Sequence, residues 1–140
     1  MLVRQCLHKA PVTVPPECTI EEAARTMGGH GVGSLLVVSG GALLGIVTDR
    51  DIAVRAVGAG KSLGSPIRDV MTEHLLTIQG SADIFETFTI FKDTQVRRLP
   101  VLEDEDLAGI ITLDDLLISL VLELGALVSP VARELHPEMR

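Results

Sequence analysis

Gly45-Ile46-Val47-Thr48-Asp49-Arg50-Asp51-Ile52 returns further along the chain as Gly109-Ile110-Ile111-Thr112-Leu113-Asp114-Asp115-Leu116. The offset (112 − 48 = 64) also carries Thr13 onto Thr77, Ile20 onto Ile84, Glu22 onto Glu86, Val32 onto Val96, Leu35 onto Leu99, Val37 onto Val101 and Leu43 onto Leu107, without a gap. Chance does not keep apolar positions apolar in one register while Thr13 to Ile52 maps onto Thr77 to Leu116. The period is longer than the roughly 20 to 50 residues of solenoid repeats, so two packed subdomains fit better than an open array.

A chain of 140 residues suits one compact domain, or two small halves that share a core. A half of about sixty residues is marginal alone, so the halves lean on each other. The apolar share is 46% and the aromatic share 2%, so Leu, Val and Ile build the core. With a mean hydropathy of +0.38, apolar surface is left over for a partner. The net charge of −7 opposes binding that depends on neutralising many phosphates, which argues against nucleic acid. Cys6 and Cys18 are too few for a disulfide framework and suit a reducing cytoplasm. No basic stretch followed by an apolar one opens the chain, and the longest unbroken run, Leu116 to Leu122, contains Ser119 and meets Glu123. That is short of the roughly 18 residues a membrane span needs, so the expectation is a cytoplasmic protein with no membrane contact.

Each repeat reads strand, helix, strand, strand, helix. In the first, Val12-Thr13-Val14 is a short strand stopped by Pro15-Pro16, because proline donates nothing to a ladder. Thr19 and Glu22 form a capping box, and Ile20, Ala23, Ala24 and Met27 follow at helical spacing until Gly28-Gly29-His30-Gly31. Leu35 to Val38 and Leu43 to Val47 form a hairpin about Gly40-Gly41, and a second helix is expected from Asp49 to about Val57. After a Gly/Ser-rich linker, Gly58 to Pro66, the second repeat copies the plan. Its strand is Leu76 to Ile78, its capping box Asp83 with Glu86, and its expected buried helix face Ile84, Phe85, Phe88 and Phe91. Leu99 to Leu102 and Leu107 to Ile111 flank the acidic turn Glu103-Asp104-Glu105-Asp106. The last helix, from about Leu113, is apolar nearly all round, which places it in a subunit interface. Pro130 is expected to end it, and Arg133 to Arg140 to be a frayed polar tail.

The candidate chemistry lies in Gly-x-x-Thr-x-x-Asp at the turn from strand to helix: Gly45, Thr48 and Asp51, then Gly109, Thr112 and Asp115. Thr-x-x-Asp also fits a capping box, in which the threonine caps the helix amides and the acid answers back. Its recurrence, with a glycine where backbone can approach a ligand, favours a second role. A helix N-terminus offers amides to a phosphate, and a fixed carboxylate beside it accepts both hydroxyls of a ribose. One such charge-assisted bond contributes about 1.5 to 3 kcal/mol.

These residues, together with Arg97-Arg98-Leu99-Pro100-Val101 and the lead-in Asp69-Val70-Met71-Thr72, resemble the cystathionine-β-synthase (CBS) domain family over nearly the whole chain. The resemblance implies an α/β (α+β) fold of tandem β-α-β-β-α motifs, packed pseudo-twofold through their sheets as a Bateman module. It divides the chain into a first motif over residues 8–62, a second over 63–128 and a tail over 129–140. It further implies clefts for adenosyl compounds: AMP, ADP, ATP, S-adenosylmethionine or NAD. Carried over, Asp51 and Asp115 hold the ribose, Thr48 and Thr112 lie near ribose or phosphate, and Thr13-Val14 and Thr77-Ile78 line the adenine slot. In the family one repeat lends basic residues to the ligand of the other, which would bring Arg97 or Arg98 to a phosphate whose ribose sits on Asp51.

The two repeats differ where this matters. Gly33-Ser34 stands in place of Arg97-Arg98, Asp114 adds an acid beside Asp115, and Cys6 replaces Val70, so one good site is expected rather than two equal ones. Gly58-Ala59-Gly60-Lys61-Ser62 is not a phosphate loop, since Arg55 stands where its first glycine belongs and no strand precedes it. His8, His30, His74 and His136 lack metal-ligand spacing, and no nucleophile has the context that catalysis needs. The reading is therefore of a regulatory module rather than an enzyme. It requires no cofactor, takes an adenine nucleotide as regulatory ligand, forms a homodimer and signals to a separate effector protein. The alternative is a structural or interaction dimer that binds no ligand.

Overall fold

The chain is described from a computed structural model at residues 1–7, 10–135 and 138. The first repeat runs β1 (Thr13–Val14), α1 (Ile20–His30), β2 (Ser34–Ser39), β3 (Ala42–Thr48) and α2 (Asp49–Asp51), which widens into a π-helical stretch at Ile52–Val57. The second runs β4 (Ile78–Gln79), α3 (Ile84–Asp93), β5 (Arg98–Glu103), β6 (Asp106–Thr112) and α4 (Leu113–Leu135). Two three-stranded sheets result, β1-β2-β3 and β4-β5-β6, each with a parallel and an antiparallel pair. Both capping boxes form: the Thr19 amide donates to Glu22 Oε2 at 3.1 Å, and the Asp83 amide to Glu86 Oε1 at 3.3 Å. Gly40 and Gly41 turn the first hairpin at φ of 56° and 81°. These left-handed values cost glycine little.

The two halves are joined by exchanged lead-ins. The segment before the first repeat packs on the second: Val3 N–H donates to Ala82 O at 2.9 Å, and Val3 and Cys6 are fully buried among Ile84, Leu99 and Ile111. The equivalent segment between the repeats packs on the first, where Ile67 N–H donates to Cys18 O at 2.7 Å and Ile67 and Val70 are buried with Ile20, Leu35 and Val47. Cys6 and Val70 thus fill corresponding places. Beyond Val70, Thr72 pairs with Ile46 through two backbone hydrogen bonds of 2.8 and 3.0 Å, which brings the second repeat's lead-in against the edge of β3.

Several sequence expectations are corrected. Phe85 and Phe88 are exposed and stack on each other, while Ile84, Thr87 and Phe91 form the buried face of α3. Thr87 occupies the place of Ala23, and Ala24 is likewise exposed. β4 begins at Ile78 rather than Leu76. Pro130 lies inside α4, which continues to Leu135 and takes in Arg133. Proline there removes one backbone hydrogen bond, and on an exposed helix the freed carbonyl reaches water. His136, Pro137, Met139 and Arg140 of the expected tail, and His8, lie outside the described residues. α4 is also long and apolar enough to cross a membrane by length and composition, with a mean hydropathy of 1.8. Counting only unbroken apolar runs missed this, since a helix carries Ser119, Glu123 and Gly125 without losing its apolar character.

Candidate functional site

Two clefts lie between the repeats, each with a Thr-x-x-Asp at its edge. The first, about 500 Å³, is lined by Thr48 and Asp51 from the first repeat and by His74, Leu76, Arg97 and Arg98 from the second. The second, about 430 Å³, is lined by Thr112 and Asp115 from the second repeat and by Val12, His30, Gly33 and Ser34 from the first. Both volumes fall within the roughly 300 to 1,000 Å³ of small-molecule sites. Apolar walls complete them: Ile46, Leu75 and Val96 in one, Ile110, Pro11 and Val32 in the other.

The capping pairs expected of the motif form in both repeats. The Thr48 amide donates to Asp51 Oδ2 at 2.9 Å, and the Asp51 amide to Thr48 Oγ1 at 3.1 Å. Thr112 and Asp115 match this at 3.1 Å each way, and the Thr112 hydroxyl also donates to Asp115 Oδ2 at 2.9 Å. The second oxygens differ. Asp51 Oδ1 lies 3.8 Å from Arg55 Nε, and the Arg55 guanidinium reaches on to Val70 O and Met71 O at 3.4 and 3.3 Å. Asp115 Oδ1 accepts no hydrogen bond among the described residues. Each carboxylate is therefore held at Oδ2 by its threonine and adjoins a cleft, while Asp51 Oδ1 also faces the Arg55 guanidinium.

The other expected site residues divide. Arg97 lines the first cleft, but its Nη1 donates to Phe91 O, Thr94 O and Val96 O at 3.2, 3.2 and 3.0 Å, so the guanidinium closes the end of α3. The Arg98 guanidinium makes no hydrogen bond or ion pair among the described residues, and Arg98 is a lining residue of both clefts. Thr13, Val14, Thr77 and Ile78 line neither. Val14 and Ile78 are in the two cores, Thr13 and Thr77 are exposed, and the segments just ahead of them, Ala10 to Val12 and His74 to Leu76, form the cleft walls. Gly45 and Gly109 make room for protein rather than ligand: a Cβ on Gly45 would stand 2.7 Å from Thr72 O, and one on Gly109 3.1 Å from Leu7 Cδ1. Asp114 is exposed and outside the second cleft.

His74 and His30, which the sequence marked only as lacking metal-ligand spacing, each line one cleft. His74 adopts a left-handed φ of 53°, while His30 Nδ1 lies 3.0 Å from Thr26 O. They stand at non-equivalent positions, so the repeat could not reveal them. Among the described residues, no group of three or more His, Cys, Asp or Glu is placed to hold a metal ion.

Comparison with known proteins gives the family and the fold. The CBS domain family model matches residues 3–58 and again 67–122. The CBS domain-containing protein YhcV of Bacillus subtilis is 35% identical over 117 residues, 84% of each chain. The crystal structure of the CBS-domain containing protein ATU1752 from Agrobacterium tumefaciens superposes with a TM-score of 0.75 at 33% identity, covering 85% of this chain and 98% of that one. The CBS domain pair of protein MJ0100, solved with 5′-methylthioadenosine and S-adenosyl-L-methionine, gives a TM-score of 0.75 at 28% identity, covering 88% and 96%. With two family matches in tandem and one inter-repeat cleft at each Thr-x-x-Asp, this chain belongs to the CBS domain family.

Proposed function

We propose that the clefts bind an adenosyl compound, whether AMP, ADP, ATP, S-adenosylmethionine or NAD, and that occupancy regulates a separate protein in the cytoplasm. The observation that carries this reading is Asp51 and Arg98 lining one cavity with apolar walls between them. The acid suits a ribose diol, Ile46, Leu75, Leu76 and Val96 suit a base, and the guanidinium suits a phosphate. The adenosyl ligands of the related MJ0100 pair support the same class. The module needs no cofactor and performs no catalysis. It pairs with a second copy through α4, whose Leu122, Leu124, Leu127 and Val128 are all exposed. A ligand shifts the arrangement of such a pair only if it binds two arrangements unequally.

Mass spectrometry of the small molecules that co-purify under native conditions tests this reading. An adenosine-containing species is expected, and Asp51→Ala combined with Asp115→Ala abolishes it. Thermal melts add a second measure, since ligand at a hundred times its Kd stabilises by about 2.7 kcal/mol. One observation favours the rival reading of a ligand-free dimer, namely that both acids already serve as capping partners. The absence of any shift with AMP, ATP, NAD and S-adenosylmethionine would establish that rival.

A further inference from the structure

We infer that Arg98 is a cation shared by both clefts, so that a phosphate-bearing ligand in one weakens binding of the same ligand in the other. This rests on the adenosyl reading above and adds a coupling between the sites.

The clefts correspond closely across the repeat. Ile46, Thr48 and Asp51 of the first match Ile110, Thr112 and Asp115 of the second, and His74 to Leu76 match Ala10 to Val12. Arg98 breaks the correspondence. Its counterpart Ser34 lines the second cleft alone, whereas Arg98 lines both. The sheet accounts for one side of this, because Arg98 is the register partner of Thr112 across β5 and β6 and so stands beside the acid of the second cleft. The other observation is Gly33, which lines the second cleft: a Cβ built there would meet Arg98 Nη2 at an ordinary contact distance of 3.5 Å, so the guanidinium reaches this wall.

Among the described residues no other arginine lines both clefts. Arg97 lines the first alone and turns its Nη1 to three backbone carbonyls, and in the second cleft Gly33 and Ser34 replace the arginine pair. The Arg98 guanidinium has no fixed partner among the described residues, so it is free to turn to either side. The guanidinium carries one positive charge on one stem, so turning it toward a phosphate in one cleft takes that charge away from the other. In a chain of net charge −7, a second phosphate arriving without that cation binds at least about tenfold more weakly than the first.

Isothermal titration of the full chain with AMP and with adenosine tests this, alongside Asp51→Ala and Asp115→Ala, which each leave one intact cleft, and Arg98→Gln. Each single-cleft variant is expected to bind one AMP. In the unaltered chain the second AMP should bind at least about tenfold more weakly than the weaker single-cleft value. Adenosine, having no phosphate, should show no such gap, and in Arg98→Gln the gap for AMP should close. An AMP isotherm equal to the sum of the two single-cleft isotherms overturns the sharing, as does an Asp51→Ala chain that takes no AMP. The comparison of AMP with adenosine stands even if Arg98→Gln fails to fold. No binding of either compound to the unaltered chain is a different result, which rejects the adenosyl reading itself and the sharing with it.

Discussion

Thr48 and Asp51 hold each other: Asp51 Oδ2 accepts the Thr48 amide at 2.9 Å while Thr48 Oγ1 accepts the Asp51 amide at 3.1 Å. The same two bonds stabilise the start of α2 and fix the carboxylate at the cleft edge, so that under the proposed function a ligand need not spend binding energy to order it. That proposal gives one acid a part in folding and a part in recognition, and the two effects separate by substitution.

Asp51→Ala should lower ligand-free stability by on the order of 1 kcal/mol, read from urea unfolding. It should also remove the AMP-induced rise in melting temperature that this cleft contributes. Asp51→Asn keeps an acceptor for the Thr48 amide and should retain most of the stability, yet lose at least about tenfold in AMP affinity. Equal affinity for AMP in Asp51→Asn and the unaltered chain would remove the carboxylate from the binding account.

Gly45→Ala and Gly109→Ala are equivalent by sequence but should differ in cost. At Gly45 the new methyl meets Thr72 O at 2.7 Å and Met71 Sδ at 2.9 Å, so the paired backbone itself must move. At Gly109 it meets only the Leu7 methyls at 3.1 and 3.2 Å, and these yield by rotation. Loss of about 1 to 3 kcal/mol is expected for Gly45→Ala, with a smaller loss for Gly109→Ala, in parallel denaturant melts. The reverse ranking would contradict the Ile46 to Thr72 pairing as the reason for the glycine.

Burial, and after it the charge and hydrogen bond of Glu22, push the Cys18 thiol above its ordinary value of 9.0. As pH rises, the unfolded thiol ionises first. Between its unfolded and folded values the native state then holds the extra proton, and stability falls with pH. Below the unfolded value Cys18 contributes no slope. Urea melts from about pH 8 to pH 10 should show the decline, and Cys18→Ala should flatten part of it. Parallel profiles for the two chains would count against the shift.

Val121, Leu124 and Val128 share one face of α4 and are 66%, 62% and 61% exposed. Replacing all three with serine removes little that the single chain buries, so its own unfolding midpoint should scarcely move at low concentration. Pairing of copies through this helix predicts that light scattering will give half the mass of the unaltered protein. An unchanged mass would place the interface elsewhere.

The repeat was legible because a single offset aligns chemistry as well as hydropathy, and the capping boxes were legible because their hydrogen bonds span only three residues. The faces of α3 were not, since Phe85 and Phe88 are as apolar as Phe91 and only packing decides which of them is covered. Leu75, Leu76, Val12 and Pro11 line the clefts from irregular segments, where no period marks a residue as wall or core. The choice between Arg97 and Arg98 was equally closed to sequence. Arg97, just ahead of β5, turns its Nη1 to the carbonyls ending α3, while Arg98, the first residue of that strand, lines both clefts, a difference of packing that two adjacent arginines do not announce.

The exchanged lead-ins mean that chain order and physical partnership do not coincide. A fragment beginning at Gly64 would carry Ile67 and Val70, the filling for a neighbour it has lost, and would lack Val3 and Cys6, the filling for itself. Two such fragments could trade lead-ins, and each shared crevice would then bring an arginine pair to a Thr-x-x-Asp. Two fragments ending before Gly64 would have the acid but only Gly33 and Ser34 opposite it. The halves are therefore unequal: under the proposed function the second carries both the acid and the arginine of a site, while the first carries the acid alone.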